Sequence, residues 1–232
     1  MTMRTPGADK ALVAGFLLSE RIITGADDIG TIRHCADGDE GAAGNVIDVL
    51  LSGRAVQRAA SALAERRLVT ATSACGVCGR RSIDDLMGDM TRIDAAWSIA
   101  ADVIASLPVR LREAQAAFDE TGGLHAAGLF GRDGALVGVA EDVGRHNAVD
   151  KVIGSRLLQD DMALSDRILC VSGRTSFEIV QKAVVAGVPV VAAVSAPSSL
   201  AIDLARSANL TLLGFVRGNT FNVYSGADRI AT

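Results

Sequence analysis

Ile168-Leu169-Cys170-Val171 runs into Ser172-Gly173-Arg174-Thr175-Ser176, and the stretch 177–186 follows, closed by Gly187 and Pro189. These residues decide the fold. A short apolar run bounded by Ser and Gly reads as a strand, and 177–186 reads as a helix that Gly187 ends, with Pro189 just beyond. Residues 190–194 give a second buried-type strand, 200–208 a helix and 210–216 another strand. Strands and helices alternating at these lengths imply an α/β sheet covered by helices.

Working outward, residues 124–130 and 136–141 read as a hairpin across Gly131-Arg132-Asp133-Gly134, and 147–158 as a helix. Residues 102–118 look helical in two pieces, interrupted at Pro108. Toward the N-terminus, 9–23 reads as an amphipathic helix with Leu12, Phe16, Leu17 and Ile23 at helical spacing. Residues 31–34 and 45–51 read as strands around the turn-rich segment 37–44, and 55–67 as a helix. The chain therefore divides into an α+β portion over 1–100 and an α/β domain over 101–232. It shows no internal repeat, no low-complexity tract, no Walker loop and no G-x-G-x-x-G fingerprint.

The densest chemistry lies in the N-terminal portion, at Cys75-Gly76-Val77-Cys78-Gly79, followed by Arg80 and Arg81. Only thiolate sulfur is a strong nucleophile. Nearby cations, a helix N-terminus or a CxxC partner lower a cysteine pKa from about 8.5 to roughly 3.5–7.5. This segment can supply all three, because the helical-looking run 82–87 follows directly. Three readings compete: a zinc site, a passive structural pair, and redox or sulfur-transfer chemistry. A structural zinc site needs four ligands, usually as two close pairs. The remaining cysteines, Cys35 and Cys170, are far apart, and His34-Cys35 is the only close pair they offer. The third reading is preferred. CxxC alone does not separate disulfide exchange from sulfur carriage.

Composition sets the bounds. With 232 residues, 49% hydrophobic and 22% charged, the chain can bury the core of one large domain or two small ones. Four cysteines do not make a disulfide scaffold, and a CxxC in such a chain points to a reducing compartment. The first residues hold no apolar h-region, and no apolar run reaches the ~18 residues of a membrane span. A cytoplasmic protein is expected. A net charge of −4 and only 3% aromatic residues argue against a general nucleic-acid binder.

Three further stretches are too specific for scaffold. Glu141-Asp142-Val143-Gly144-Arg145-His146-Asn147-Ala148-Val149-Asp150-Lys151 gathers acids, a guanidinium, an imidazole and an amide at a strand-to-helix junction. Such junctions are common ligand sites in α/β sheets; the bland alternative is a solvated turn with an Asn cap. In Ser172-Gly173-Arg174-Thr175-Ser176-Phe177-Glu178 a strand ends and a helix starts. Its free N–H groups and Arg174 would suit a phosphate, or Ser176 or Thr175 simply caps the helix and Glu178 favours its first turn. In the stretch 214–224 a strand turns through Arg217-Gly218-Asn219-Thr220 and returns; a hairpin alone would explain it, and a ligand-facing loop is preferred.

Together these residues resemble one family, the formate dehydrogenase accessory sulfurtransferases, or FdhD-type sulfur carrier proteins. The resemblance rests on Met3-Arg4-Thr5-Pro6-Gly7, Gly15-Phe16-Leu17-Leu18-Ser19-Glu20, Ser73-Ala74-Cys75-Gly76-Val77-Cys78-Gly79, Thr121-Gly122-Gly123-Leu124-His125-Ala126-Ala127 and the stretches 141–154, 172–178 and 214–225. Family members usually carry a few dozen residues ahead of the Met-Arg-Thr-Pro motif, whereas this chain starts almost on it.

The resemblance implies a cytidine deaminase-like α/β/α sheet with a smaller N-terminal α+β portion, and a homodimer. It implies that sulfur passes from a cysteine desulfurase persulfide to the molybdenum cofactor, as bis(molybdopterin guanine dinucleotide), before formate dehydrogenase receives it. Cys75 would carry the persulfide, with Cys78 as helper. The cofactor-contact segment of the family matches Phe215, Val216, Arg217, Gly218, Asn219 and Thr220. Arg145, His146 and Arg174 are further candidate contacts, and no protein-ligated metal is expected. The Cys75 loop is expected near the mouth of a pocket lined by 141–147 and 215–220.

Rival readings remain. Zinc deaminases use H-x-E ahead of P-C-x-x-C. Here His34, His125 and His146 are followed two residues on by Ala36, Ala127 and Ala148, so the proton-shuttling Glu is missing. A thiol–disulfide oxidoreductase would want an aromatic-flanked CxxC, and Cys75 lies between Ala74 and Gly76. A non-catalytic chaperone would bind the cofactor without moving sulfur.

Overall fold

The computed structural model describes residues 2–35, 44–66 and 91–231. The CxxC segment, with Cys75, Cys78, Arg80, Arg81 and the run 82–87, lies outside the described residues, as do 37–43 of the turn-rich segment.

Six strands form the central sheet: β4 (His125–Phe130), β5 (Leu136–Asp142), β6 (Ile168–Val171), β7 (Val190–Ala193), β8 (Thr211–Arg217) and β9 (Thr220–Ser225), in the order β5-β4-β6-β7-β8-β9. The inner strands β6, β7 and β8 run parallel, and an antiparallel hairpin flanks them on each side. Earlier in the chain β1 (Ile29–His34) pairs antiparallel with β2 (Ile47–Leu51), and β3 (Ile99–Ala100) pairs with β10 (Ile230–Ala231).

Strand side chains alternate faces, so an all-apolar strand feeds two cores. Leu169 and Val171 of β6 enter one core with Val191 and Ala193 of β7. Ile168 and Cys170 enter the other with Val190 and Ala192. The first core is covered by α1 (Asp9–Ser19), α5 (Arg145–Leu158), α6 (Phe177–Val185) and α7 (Ser199–Ser207), and the second by α3 (Ala101–Glu113). The result is the layered α/β sheet that the alternation predicts. Among the described residues, no helix is long and apolar enough to cross a membrane. The described residues also include the helices α2 (Ala55–Arg66) and α4 (Ala116–Thr121).

Three expectations need correction. Residues 102–118 do not break at Pro108; α3 runs through it and ends at Glu113. An interior proline costs about 3 kcal/mol, but burying a large apolar side chain contributes about 1.5–3 kcal/mol. Ile104, Leu107 and Leu111 are all buried on α3, so packing wins. Next, α5 begins at Arg145 rather than at 147, which puts Arg145 and His146 on its first turn. Finally, α1 ends at Ser19 and buries only part of the stripe predicted over 9–23: Leu12 and, beyond the helix, Ile23 are buried, and Leu17 is half-buried. Phe16 is exposed, while Ala11, Leu12, Ala14, Gly15, Leu18 and Ser19 are buried.

Backbone contact explains that small-residue face. A Cβ on Gly15 would lie 2.0 Å from the Asp150 carbonyl oxygen, and one on Gly154 would lie 1.9 Å from that of Ala11. The helices α1 and α5 therefore touch backbone to backbone. Gly154→Ala is expected to force them apart and to lower stability by about 2–3 kcal/mol, at the upper end of overpacking costs. Denaturant unfolding checks this; a loss under about 0.5 kcal/mol would refute the close crossing.

Candidate functional site

Parallel order places the carboxyl ends of β6, β7 and β8 on one edge of the sheet. The antiparallel hairpins bring the end of β5 and the start of β4 to the same edge, with His125 opposite Asp142. Ligands bind along this edge in open α/β sheets. The stretches 141–147, 172–178 and 215–220 all lie on it.

Most of the acid-rich motif is structural. Asp142 is fully buried and accepts hydrogen bonds from Gly144 N at 2.8 Å, Asn147 Nδ2 at 2.9 Å and Thr5 N at 3.1 Å. Lys151 Nζ lies 2.7 Å from the same carboxylate and also donates to the Thr5 carbonyl. Thr5 Oγ1 accepts from Val143 N, and Asn147 Nδ2 donates to the Met3 carbonyl. The N-terminal Met-Arg-Thr segment is thereby latched to the end of β5. Glu141 turns the other way and accepts from the backbone N–H groups of Ala117 and Phe118 at 2.8 Å each, holding the start of α4. So the motif is more than a solvated turn, yet only Arg145 and His146 of it remain for chemistry.

Those two face a small cavity of about 290 Å³, lined also by Thr2, Met3, His125, Val143, Gly144 and Asn147. Arg145 makes no hydrogen bond among the described residues, and its Nε is buried and unpartnered. His146 Nε2 sits 2.7 Å from Ser176 Oγ and 3.5 Å from Glu178 Oε2. Ser176 is the N-cap residue of α6, yet its hydroxyl does not cap; Ser198 does cap α7, accepting from Ala201 N. Burial works to raise the Glu178 carboxyl, but hydrogen bonds from His146, Ser176 and its own backbone N–H outweigh it and hold the group at about 2. The carboxylate thus fixes His146 rather than merely favouring a helix turn. Arg174 is exposed on the β6–α6 turn and makes no hydrogen bond or ion pair among the described residues.

A larger cavity of about 660 Å³ opens on the α3 side of the edge, its walls including Leu111, Phe118 and Leu124, with His125, Ser172 and Val194 at its base. His125 lines both cavities.

The segment from Phe215 to Thr220 lines neither cavity, so the pocket expected to join it to 141–147 is not formed by these two. It lies farther along the same edge. Strand spacing of about 4.8 Å puts the ends of β5 and β8 on the order of 20 Å apart. Here Phe215 holds φ 52°, unusual for a bulky side chain, at an irregularity in the β8–β9 register. It is displayed to solvent, and Arg217 stacks over its ring at 5.8 Å while donating from Nε to the Val194 carbonyl at 3.2 Å. The terminal nitrogens of Arg217 have no partner among the described residues. Val216 is buried, Gly218 takes φ 53° in the turn, and Asn219 and Thr220 are exposed. By contrast Arg4, Arg58, Arg112, Arg156 and Arg167 all pair with carboxylates.

His125, Ser176 and Glu178 were missed as site members. The hairpin register carried the signal for His125, because pairing 124–130 with 136–141 sets it beside the Glu141–Asp142 end. Nothing in the sequence signals that Ser176 and Glu178 turn toward His146.

A sequence model of the FdhD/NarQ family matches residues 1–231. The sulfur carrier protein FdhD of Nocardia farcinica is 52% identical over 235 residues, covering 99% of this chain and 81% of that protein. Its counterpart in Anaeromyxobacter dehalogenans is 51% identical, covering 99% and 82%. A crystal structure of a putative formate dehydrogenase accessory protein from Desulfotalea psychrophila superposes with a TM-score of 0.72 at 26% identity, over 99% of this chain and 83% of that one.

Proposed function

The chain belongs to the FdhD/NarQ family, and on that premise we propose that it carries sulfur on Cys75 to a molybdenum cofactor destined for formate dehydrogenase. The Cys75 thiolate attacks the outer sulfur of a cysteine desulfurase persulfide. A new S–S bond forms, the old one breaks, and the desulfurase cysteine leaves as thiolate; its proton balance is that of ordinary thiol exchange. Cys78, three residues on, assists. The cargo, bis(molybdopterin guanine dinucleotide), offers phosphates and purine rings. Arg145, His146 and Arg174 suit the phosphates at one end of the sheet edge. Phe215, Arg217, Gly218, Asn219 and Thr220, with Val216 anchoring the strand, suit a guanine nucleotide at the other. The working form is a homodimer in the cytoplasm, which receives sulfur from the desulfurase and hands the loaded cofactor to formate dehydrogenase.

One observation carries the cofactor assignment: Arg145, Arg174 and the terminal nitrogens of Arg217 share one sheet edge without a carboxylate partner among the described residues, and the Nε of Arg145 is buried there without a hydrogen bond. GDP is the simplest mimic of the nucleotide end. At ~100 times its dissociation constant it is expected to stabilise the protein by about 2.7 kcal/mol. Arg217→Ala is expected to weaken that protection by removing a charge-assisted donor, typically ~1.5–3 kcal/mol. Equal melting shifts with GDP and with inorganic phosphate would show that guanine is not recognised.

A further inference from the structure

Where the two cavities meet, one side chain belongs to both: His125, at the first residue of β4. Its ring is held by the backbone of Gly173, where even an added Cβ would come within 3.1 Å of Nδ1 and 3.9 Å of Arg145 Cδ. Among the described residues neither ring nitrogen makes a hydrogen bond. The charges acting on it come from three sides. Arg145 and His146 stand on the first turn of α5, and Arg174 on the β6–α6 turn. Arg112 and Glu113 stand on the α3 wall of the larger cavity, and Glu178 of α6 is engaged with His146. Asp142, opposite on β5, is fully used by Lys151, Thr5, Gly144 and Asn147.

We propose that His125 is a specificity residue of this site, taking up one proton when a phosphate-like dianion settles between it, Arg145 and Arg174, so that dianions are favoured over monoanions and bind tighter as pH falls. The inference rests on the cofactor reading above and names what that reading leaves open, the charge state that the anion end selects. Desolvation, and then coulombic interactions with Arg145, His146 and Arg174, hold the imidazole below the ordinary histidine range. It is therefore neutral at pH 7 in the ligand-free protein. A dianion reverses the local field and favours the charged ring. Binding then takes up a proton wherever the pH lies between the free and the bound pKa. Affinity falls as pH rises through that window and is level on either side. A monoanion reverses the field less and gains less from the second charge.

Sulfate is the probe, because it stays a dianion throughout this range. The chain has three histidines, so their ring-proton NMR signals can be followed individually through a pH titration. The His125 signal, assigned by its loss in His125→Gln, is expected to titrate below the histidine norm of about 6.5. With saturating sulfate, at ionic strength matched with chloride, its midpoint should rise by about one unit or more. Sulfate affinity should fall ~10-fold across the same window, one unit corresponding to tenfold. His125→Gln should bind sulfate more weakly and without that pH dependence. If sulfate binds while the His125 midpoint stays fixed, or fails to bind while GDP still does, the inference is overturned and the cofactor reading stands. If neither binds the wild-type protein at any pH, both fall. Should His125→Gln fail to fold, the wild-type titration still decides.

Discussion

Cys75→Ala is expected to abolish maturation of formate dehydrogenase while leaving the protein folded. The thiol sits between Ala74 and Gly76, ahead of Gly79, Arg80 and Arg81, where cations and a CxxC partner favour the thiolate. The two described cysteines offer a contrast. Cys170 is fully buried on β6, and burial pushes its thiol up to about 12, so it supplies essentially no thiolate at neutral pH. Cys35 lies just past the end of β1. Cys170→Ala or Cys35→Ala should cost on the order of 1 kcal/mol of stability at most and leave sulfur transfer intact. A complementation assay in cells lacking the endogenous carrier, with formate dehydrogenase activity as readout, checks all three. Full activity from Cys75→Ala would remove that cysteine from the mechanism.

Lys182→Met is expected to be the most destabilising single change, by about 3–5 kcal/mol at pH 7. Lys182 Nζ bonds both oxygens of Asp150, at 2.7 and 2.8 Å, and both side chains are buried between α5 and α6. The Ser19 hydroxyl of α1 lies 2.9 Å from the same carboxylate, so the pair joins three helices. Burial pushes the Asp150 carboxyl up, against the pull of Lys182. Removing the lysine leaves a buried charge without its partner, the costly way to break such a pair. The sign with pH follows. In the variant the folded-state pKa of Asp150 rises further above its unfolded value near 3.9. The deficit should therefore be smallest well below about pH 4, where the carboxyl is protonated in both states, and grow as pH rises. Denaturant melts at two pH values measure it. Asp150→Leu combined with Lys182→Met should recover most of the loss; if it does not, the helices depend on the pair for something other than charge compensation.

Alternation of apolar runs with helix stops made the central sheet legible, and its strands fall close to their predicted places. Failures came where packing overrode local rules. Pro108 is a helix breaker by local chemistry, yet three buried side chains carry α3 through it. Phe16 looks like a core residue by spacing, but α1 packs through Gly15 onto α5, a backbone contact that no periodicity reveals. At the site, residue types were readable and their partners were not. The stretch 141–151 announced chemistry, yet Asp142, Asn147 and Lys151 hold the N-terminal segment, and Asp150 serves the core. Arg145 and Arg174 make no ion pair among the described residues. Arg217 leaves its terminal nitrogens unpaired among the described residues, but on a different part of the sheet edge from the two cavities.

The central claim is that Cys75 carries a transferable sulfur atom. Its most direct test is the mass of the protein after incubation with a cysteine desulfurase and free cysteine, followed by thiol-preserving peptide mapping. The predicted result is a gain of one sulfur atom on the peptide holding Cys75, absent in Cys75→Ala and removed by a reducing thiol. Sulfur found only at Cys78 or Cys35, or none at all while GDP still binds, would contradict it; the second outcome would leave a protein that binds the cofactor without moving sulfur.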